Sequence, residues 1–345
     1  MSRPLLRSLL GMVASGLTLA APALAAAAGW LALPEQAPAP ADNPVTEAKV
    51  RLGKALYFDP RLSSTGTVSC NSCHNVMAGG EDGRPTSVGV GGQIGGRNAP
   101  TVWNAAFHPV QFWDGRAASL EEQALGPVTN PIEMGLPSLD VLVERLKALG
   151  YEPMFREAFG GDSPVTADNF AKAVASFERT LVTPGSPFDR WVMGERGAMT
   201  EQQVRGYERF RALGCAGCHT GPLFGARPEA PFQKFPVFAD SPYVERYGLA
   251  KDTGRHEVTK RPEDRHLFRV PTLRNVAVTA PYFHNGAVAT LDEAVRVMAS
   301  TQLGRTLSER DVADIVAFLQ ALTGPFPSIE APRLPVPVGR SVAFD

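Results

Sequence analysis

The 345-residue chain carries 34 Lys and Arg against 35 Asp and Glu, a net charge of −1, so no basic excess indicates a nucleic-acid partner. Its length is enough for about two domains. After the N-terminal region, no segment is apolar enough to span a bilayer.

The first residues are typical of a secretory signal. Arg3 and Arg7 form a basic start, LLGMVASGLTLAAP is the apolar stretch, and ALA at 23–25 fits a cleavage site. An uncleaved membrane anchor is the alternative, because AAAAGWLAL prolongs the apolar run. Cleavage is favoured, since Pro22 and ALA stand where a signal should end. We therefore expect a signal peptide at 1–25, a periplasmic location and a mature net charge of −3, from 32 basic and 35 acidic side chains.

All four cysteines lie in two copies of the motif C-x-x-C-H. The copies read CNSCH and CAGCH, and their Cys and His residues are Cys70, Cys73, His74, Cys215, Cys218 and His219. Two thiols at this spacing can each bond one vinyl group of a porphyrin, and the next histidine supplies an imidazole nitrogen to the iron. A zinc site is disfavoured, because a histidine directly after the second cysteine is poor geometry for four ligands. The sequence predicts two covalently bound c-type haems.

Between the motifs, helical periodicity alternates with Gly- and Pro-rich connections. SLDVLVERLKALG places Leu139, Leu142, Val143 and Leu146 on one face and ends at Gly150. No sustained alternation typical of strands is present. These patterns predict a mostly α fold with long loops.

The second half repeats features of the first. TEQQVR at 200–205 precedes the second motif as TEAKVR at 46–51 precedes the first. Thr200 with Gln203 forms a capping-box pattern, and Gly214 should end that helix just before CAGCH. The two motifs lie 145 residues apart, about the length of one domain, which indicates a duplicated haem-binding unit.

The domain boundary is expected in VTPGSPFD, where turn residues separate two helical patterns. We predict two cytochrome c-like haem domains, at 26–185 and 186–324, and a tail, 325–345, that could pack back on the first. The segment 241–266 is interpreted as a surface loop. SERDVADIVAFLQALTG should form a helix that begins at Ser308.

The ligand on the far side of each iron distinguishes an electron carrier, with both axial sites filled, from an enzyme with an open site. Apart from the two motif histidines and two methionines of the signal, the candidates are His108, His256, His266, His284, Met77, Met134, Met154, Met193, Met199 and Met298. Most of these are expected to be core or surface residues.

From about Leu52 to Gly324 the chain resembles the bacterial di-haem cytochrome c peroxidases, a family that includes the MauG-type enzymes. The resemblance rests on LGKALYFDPRLS, SCNSCH, GGRNAPTVWNAAF, FWDGRAASLEEQALGP, IEMG, CAGCHTGPLF, RVPTLRNVAVTAPYFHNG and AVRVMASTQLG, in the family's order. It implies a peroxidatic N-terminal haem and a higher-potential C-terminal haem that accepts electrons from a small donor protein.

The resemblance also implies roles for four residues. Met298 would be the second ligand of the C-terminal iron, where MauG-type enzymes carry Tyr. Trp113 of FWDGR would bridge the haems, with Trp103 as a competing candidate. Glu133 of IEMG would shuttle protons as general base and acid, and Gln123 would orient water or peroxide.

A calcium ion between the domains is implied at Asn98 and the backbone carbonyls of Thr279 and Pro281, an oxygen-only set that suits a weak site. A turn-forming Asn98 is the alternative. We interpret His284 as a contact to the edge or propionates of the C-terminal haem, not as an axial ligand.

The chain departs from the family at Val90. Many members cap the peroxidatic iron with a second His, sixteen residues after the motif His, that leaves on reduction of the other haem. Here that position is Val90, and residues 75–96 hold eight glycines and no His. The far side of the first iron should be open or water-bound, unless Met77 or His108 replaces the ligand.

These features predict a peroxidase that reduces hydrogen peroxide to water with electrons from a cytochrome c or cupredoxin. A MauG-like oxidase of another substrate and a non-catalytic di-haem electron carrier are the alternatives. A homodimer is left open.

Overall fold

The computed structural model describes residues 31–337. The predicted signal at 1–25 and the last eight residues of the predicted tail lie outside this range. Within it, no helix is long and apolar enough to cross a membrane. The described chain is mostly helical, as predicted, with little sheet.

Among residues 31–337, six α-helices belong to the first half and six to the second. The first half contains α1 (Glu47–Phe58), α2 (Cys70–Cys73), α3 (Leu120–Thr129), α4 (Leu139–Ala148), α5 (Glu152–Phe159) and α6 (Ala167–Glu178). The second half contains α7 (Pro187–Val192), α8 (Glu201–Leu213), α9 (Pro242–Arg246), α10 (His256–Thr259), α11 (Leu291–Leu303) and α12 (Glu309–Gln320). The strands β1 (Phe232–Lys234) and β2 (Leu267–Arg269) pair antiparallel, with Phe232 opposite Arg269.

The predicted helix ends are confirmed where local hydrogen bonds set them. Thr200 and Gln203 form both bonds of a capping box at the start of α8, and Gly214 ends it in the left-handed conformation, φ 99°. The Ser308 side chain accepts from the amide of Asp311 at the start of α12. On α4, Leu142 and Leu146 are fully buried, as the predicted apolar face requires.

The same close helix crossing occurs once in each half. A Cβ added to Gly53 of α1 would stand 1.9 Å from the carbonyl oxygen of Ala173 on α6. A Cβ added to Gly206 of α8 would stand 1.8 Å from the carbonyl oxygen of Asp314 on α12. Only glycine permits either contact, so each crossing brings two backbones together. The first crossing lies within an apolar cluster of residues 52–181, and the second lies within a separate cluster of residues 188–322.

Segments at both ends of the described chain pack on the helices. The amide of Leu33 donates to Asp189 at 2.9 Å, next to the fully buried Arg274–Asp189 ion pair. In the tail, Phe326 packs edge-on against Trp103 with ring centroids 5.1 Å apart. The carbonyl of Pro335 accepts from Arg61 at 3.0 Å, so this part of the tail lies on the first half.

The interpretation of 241–266 as a surface loop is wrong in part. The segment forms α9 and α10, and it buries Leu249 completely and Asp264 to 5% exposure. Arg97, from the first half, donates to both carboxylate oxygens of Asp252 at 2.6 and 2.9 Å. This ion pair keeps the segment against the first half.

Candidate active site

The first motif opens into a cavity of about 500 Å³. Cys70, Cys73 and His74 line it together with Gln123 from α3 and Glu133 from the turn after α3. The two cysteines lie at either end of the one-turn helix α2. The structure therefore brings the predicted attachment site and the predicted proton-transfer residues into one cavity.

The second motif lines a separate cavity of about 300 Å³. Cys215, Cys218 and His219 face it, with Met298 from α11 and His284 from the preceding loop. The helix α11 begins at the side-chain cap of Thr290 and carries Met298 in its middle. The predicted second ligand thus lies in the same cavity as the motif histidine.

In both motif histidines, one ring nitrogen is fixed by a hydrogen bond and the other is left to bind a metal. Nδ1 of His74 lies 2.9 Å from the carbonyl oxygen of Pro100, and Nδ1 of His219 lies 3.0 Å from that of Phe224. A carbonyl can only accept, so Nδ1 carries the proton and Nε2 keeps its lone pair for a metal. Burial lowers the pKa of both imidazoles, which favours the neutral, ligating form.

A buried guanidinium in the second cavity fits a propionate-bearing cofactor. Arg269 is 2% exposed and lines the cavity, and no carboxylate in the described part of the chain offsets its burial. It donates to the carbonyl of Phe112 at 3.1 Å and lies against His108. Burial lowers the pKa of Arg269 to about 10. An anionic haem propionate would offset this buried charge, and with the two thiols and two ligands the site fits a c-type haem.

Trp113 stands in the wall that the two cavities share. It lines both, together with Ala99, Pro100 and Thr101. The indole N–H donates to the carbonyl of Asn98 at 2.9 Å. Trp103, the competing candidate, is fully buried against Phe326 and lines neither cavity. Of the two tryptophans, only Trp113 is placed between the cavities.

Glu133 lies in a turn that backbone hydrogen bonds hold in place. The Glu133 amide donates to the carbonyl of Asn130, and the Glu133 carbonyl accepts from the amide of Val90. Burial raises the pKa of Glu133, while the charge of Arg116 partly opposes that rise. A raised pKa makes the carboxyl group a better proton acceptor than an exposed glutamate.

Val90 packs in the core of the first half at 5% exposure and is not part of the cavity wall. The backbone of Gly89, beside it, lies so close to the carbonyl oxygen of Ile132 that a Cβ would not fit between them. The loop therefore packs against the turn that carries Glu133. His108 lies in the second cavity and Met77 is exposed, and neither lines the first. In this structure, therefore, neither of the two substitutes lines the first cavity.

Comparison with known proteins places the chain in a family. Cytochrome c551 peroxidase of Nitrosomonas europaea is 45% identical over 327 residues, 94% of this chain and 95% of that protein. The chain belongs to the di-haem cytochrome c peroxidase family. The family profile described as di-haem cytochrome c peroxidase matches residues 47–197.

Other members of the peroxidase family agree in sequence and fold. Cytochrome c551 peroxidase of Pseudomonas aeruginosa is 47% identical over 88% of this chain and 86% of its own length. A crystal structure of a MauG-like protein associated with microbial copper homeostasis superposes with a TM-score of 0.74 at 31% identity, covering 85% of this chain and 95% of that one. Family membership implies two c-type haems in this chain.

The calcium site that the peroxidase family suggests stays a prediction. Asn98, Thr279 and Pro281 all line the second cavity. The side-chain NH₂ group of Asn98 donates to the carbonyl of Arg84 at 2.9 Å, which leaves the side-chain oxygen of Asn98 available as a ligand. His284 also lines this cavity, stacked on Phe268 with centroids 4.6 Å apart.

Sequence reasoning missed several charged residues that line the first cavity. Among them are Arg97 from the glycine-rich loop, Glu178 from the end of α6 and Glu257 from α10 of the second half. Of these three, only Glu178 had a signal in the sequence, because it directly follows the largely apolar run AVASF at 173–177, and it is 6% exposed in the structure. The other two meet the cavity through long-range packing.

Proposed function

We propose that this protein reduces hydrogen peroxide to water with electrons from a small periplasmic donor, a cytochrome c or cupredoxin. The observation that carries the proposal is Glu133, a carboxyl group of raised pKa in the same cavity as His74. An electron carrier with both axial sites filled has no use for such a group.

When bound, the two haems supply an iron that binds peroxide and a second iron that stores an electron. Glu133 accepts the proton of the inner peroxide oxygen and returns it to the outer oxygen, which leaves as water. Gln123 cannot take that proton, but its amide orients peroxide by hydrogen bonding. Trp113 places an aromatic ring on the path between the two cavities. His219 and Met298 would hold the second iron.

The architecture proposed for this reaction is two cytochrome c-like domains, 26–185 and 186–324, joined by Gly- and Pro-rich loops. The repeated crossing of α1 with α6 and of α8 with α12 supports it. Calcium at Asn98, Thr279 and Pro281 and export by a cleaved signal belong to the same proposal.

A MauG-like oxidase is the second candidate, and Val90 favours it in one respect, because the blocking His of many peroxidases is missing. Met298 argues for the peroxidase, since a thioether stabilises ferrous iron and raises the potential needed to accept electrons from a donor protein. The high-potential site is therefore the discriminating feature.

The experiment is peroxide-dependent oxidation of reduced cytochrome c or cupredoxin by the purified protein. Intact-mass measurement should first show two haems added to the polypeptide. Turnover at two donor electrons per peroxide supports the proposal. Two haems without turnover, and with both irons low-spin, would make the chain an electron carrier.

A further inference from the structure

Glu178 is a buried carboxyl group in the first cavity that the proposed chemistry does not use. It is the last residue of α6, its side chain is 6% exposed, and it lines the cavity. Its Oε2 has no hydrogen-bond partner in the described part of the protein. An ionised carboxylate in such a place is costly, so the group is either neutral or stabilised by a charge that the cavity receives.

No cation among its neighbours is free to pair with Glu178. The adjacent Arg179 donates to both oxygens of Glu121 on α3, at 2.8 and 3.1 Å, so its charge is already paired. On α1, the hydroxyl of Tyr57 donates to the carbonyl of His74 at 2.7 Å. Burial raises the pKa of Glu178 to about 8, while Arg179 opposes that rise and Glu121 adds to it.

The Glu178 carboxyl group lines the same cavity as the Cys70 thiol, which would carry the first haem. Burial raises the pKa of Cys70 to about 12, and the charge of Glu178 is the second cause of that rise. Burial and, as the second cause, the charge of Glu178 also raise the pKa of Tyr57. Glu133 is on the wall of the same cavity, in the turn after α3. Glu178 therefore lies at the Cys70 side of the cavity, where it would sense the charge of the iron.

We propose that Glu178 is a redox-linked proton site of the first haem. Its carboxylate takes up one proton from solvent when the iron gains one electron from an external one-electron donor, and it releases that proton when the iron loses the electron. The physical reason is that a ferric haem carries one more positive charge than a ferrous haem and favours the carboxylate. In a low-dielectric cavity this difference is felt strongly.

The proposal rests on a haem in the first cavity but not on peroxide turnover. It adds a role in supplying protons, because the proposed reaction consumes two protons for each peroxide and Glu178 would bring one in with an electron. Proton uptake with reduction makes the midpoint potential fall as pH rises, since the reduced form then binds more protons than the oxidised form.

The test is an equilibrium redox titration of the di-haem protein from mildly acidic to mildly alkaline pH, followed by absorbance. In the wild type, the potential of one of the two haem transitions should fall as pH rises. In Glu178→Gln, which keeps the shape but cannot bind the proton, that transition should become independent of pH. Glu144→Gln, the same change at a side chain that is 72% exposed on α4, should behave as the wild type.

A pH-independent wild type, or a slope retained in Glu178→Gln but lost in Glu133→Gln, would overturn the proposal. If Glu178→Gln does not assemble, redox-difference infrared spectra of the wild type decide. A protonated-carboxyl C=O band that appears on reduction and shifts in D₂O supports it, and the absence of such a band overturns it. Because no peroxide is used, a failure of peroxidase activity would leave this result readable.

Discussion

The indole N–H of Trp113 donates to the backbone carbonyl of Asn98 at 2.9 Å, within the wall that the two cavities share. The backbone amide of Asn98 in turn donates to the carbonyl of His284, a residue of the second half, at 2.8 Å. An aromatic ring fixed in this way between two redox cofactors shortens the path for an electron. The position of the Trp113 ring thus depends on contacts between the halves.

Replacing Glu133 by Gln should keep both haems but reduce peroxide turnover by about 10²–10⁴-fold, because an amide cannot shuttle the proton. Donor oxidation at saturating peroxide measures the loss. Glu122→Gln, on the exposed side of α3, is the matched control and should retain full turnover. Turnover of Glu133→Gln within a factor of about two of the wild type would exclude the role.

The acid side of the pH–rate profile should report Glu133. As general base it must be ionised, and burial raises its pKa, so turnover should fall as pH drops through that raised pKa. Removing the opposing charge with Arg116→Gln should raise the pKa further and move the acid side of the profile to higher pH. Arg116→Lys keeps the charge and should leave the profile near that of the wild type. An unmoved profile in Arg116→Gln would assign the titration to another group.

Changing Met298 to His should keep a low-spin six-coordinate haem but lower its midpoint potential, because imidazole stabilises ferric iron better than a thioether does. Spectroelectrochemical titration measures the shift. Met193→His, the same change at a residue that is 70% exposed, should leave both potentials unchanged. If Met298→His leaves the potential where it was, the ligand is another residue.

The oxidised wild type should show a high-spin ferric haem, bind cyanide at once and need no reductive activation. The reason is that Val90 cannot ligate iron and neither His108 nor Met77 lines the first cavity. Val90→His should make the site low-spin only if the loop turns away from the core, where Val90 now packs; Val90→Leu should not. A wholly low-spin oxidised wild type, inert to peroxide until reduced, would contradict the prediction.

Breaking the fully buried Arg274–Asp189 ion pair should destabilise the second half. Arg274→Met leaves the Asp189 carboxylate buried without its cation, which typically costs about 3–5 kcal/mol. Lys147→Met removes one partner of the exposed Glu144–Lys147 pair and should cost no more than about 1 kcal/mol. Urea unfolding of the haem-loaded proteins compares the two, and equal midpoints would mean that the buried pair adds nothing.

Local chemistry explains why several features were predictable from sequence. Attachment of a c-type haem needs two thiols and a histidine within five residues, so Cys70, Cys73 and His74 could be found without knowledge of the fold. The start of α8 at Thr200 and its end at Gly214 depend on hydrogen bonds within one helical turn. The mostly helical fold follows from periodicities of the same short range.

Glu133 and Gln123 occupy an intermediate position. Nothing in the pattern around them selects either residue, and only resemblance to the family did so. The structure supplies the physical reason, since α3 and the turn after it place both side chains on one wall of the cavity that holds His74.

The sequence alone determined which residues can attach the haems and supply the motif histidines, because each set lies within five residues of the chain. The tertiary structure decided which tryptophan lies between the cavities, since the pattern around Trp113 and its competitor Trp103 does not show which one the packing of the halves brings there. It also decided that the glycine-rich loop buries Val90, that 241–266 reaches the first cavity through Glu257, and that Glu178 lines the same cavity as Cys70. These outcomes depend on contacts between segments far apart in sequence, which no local pattern records.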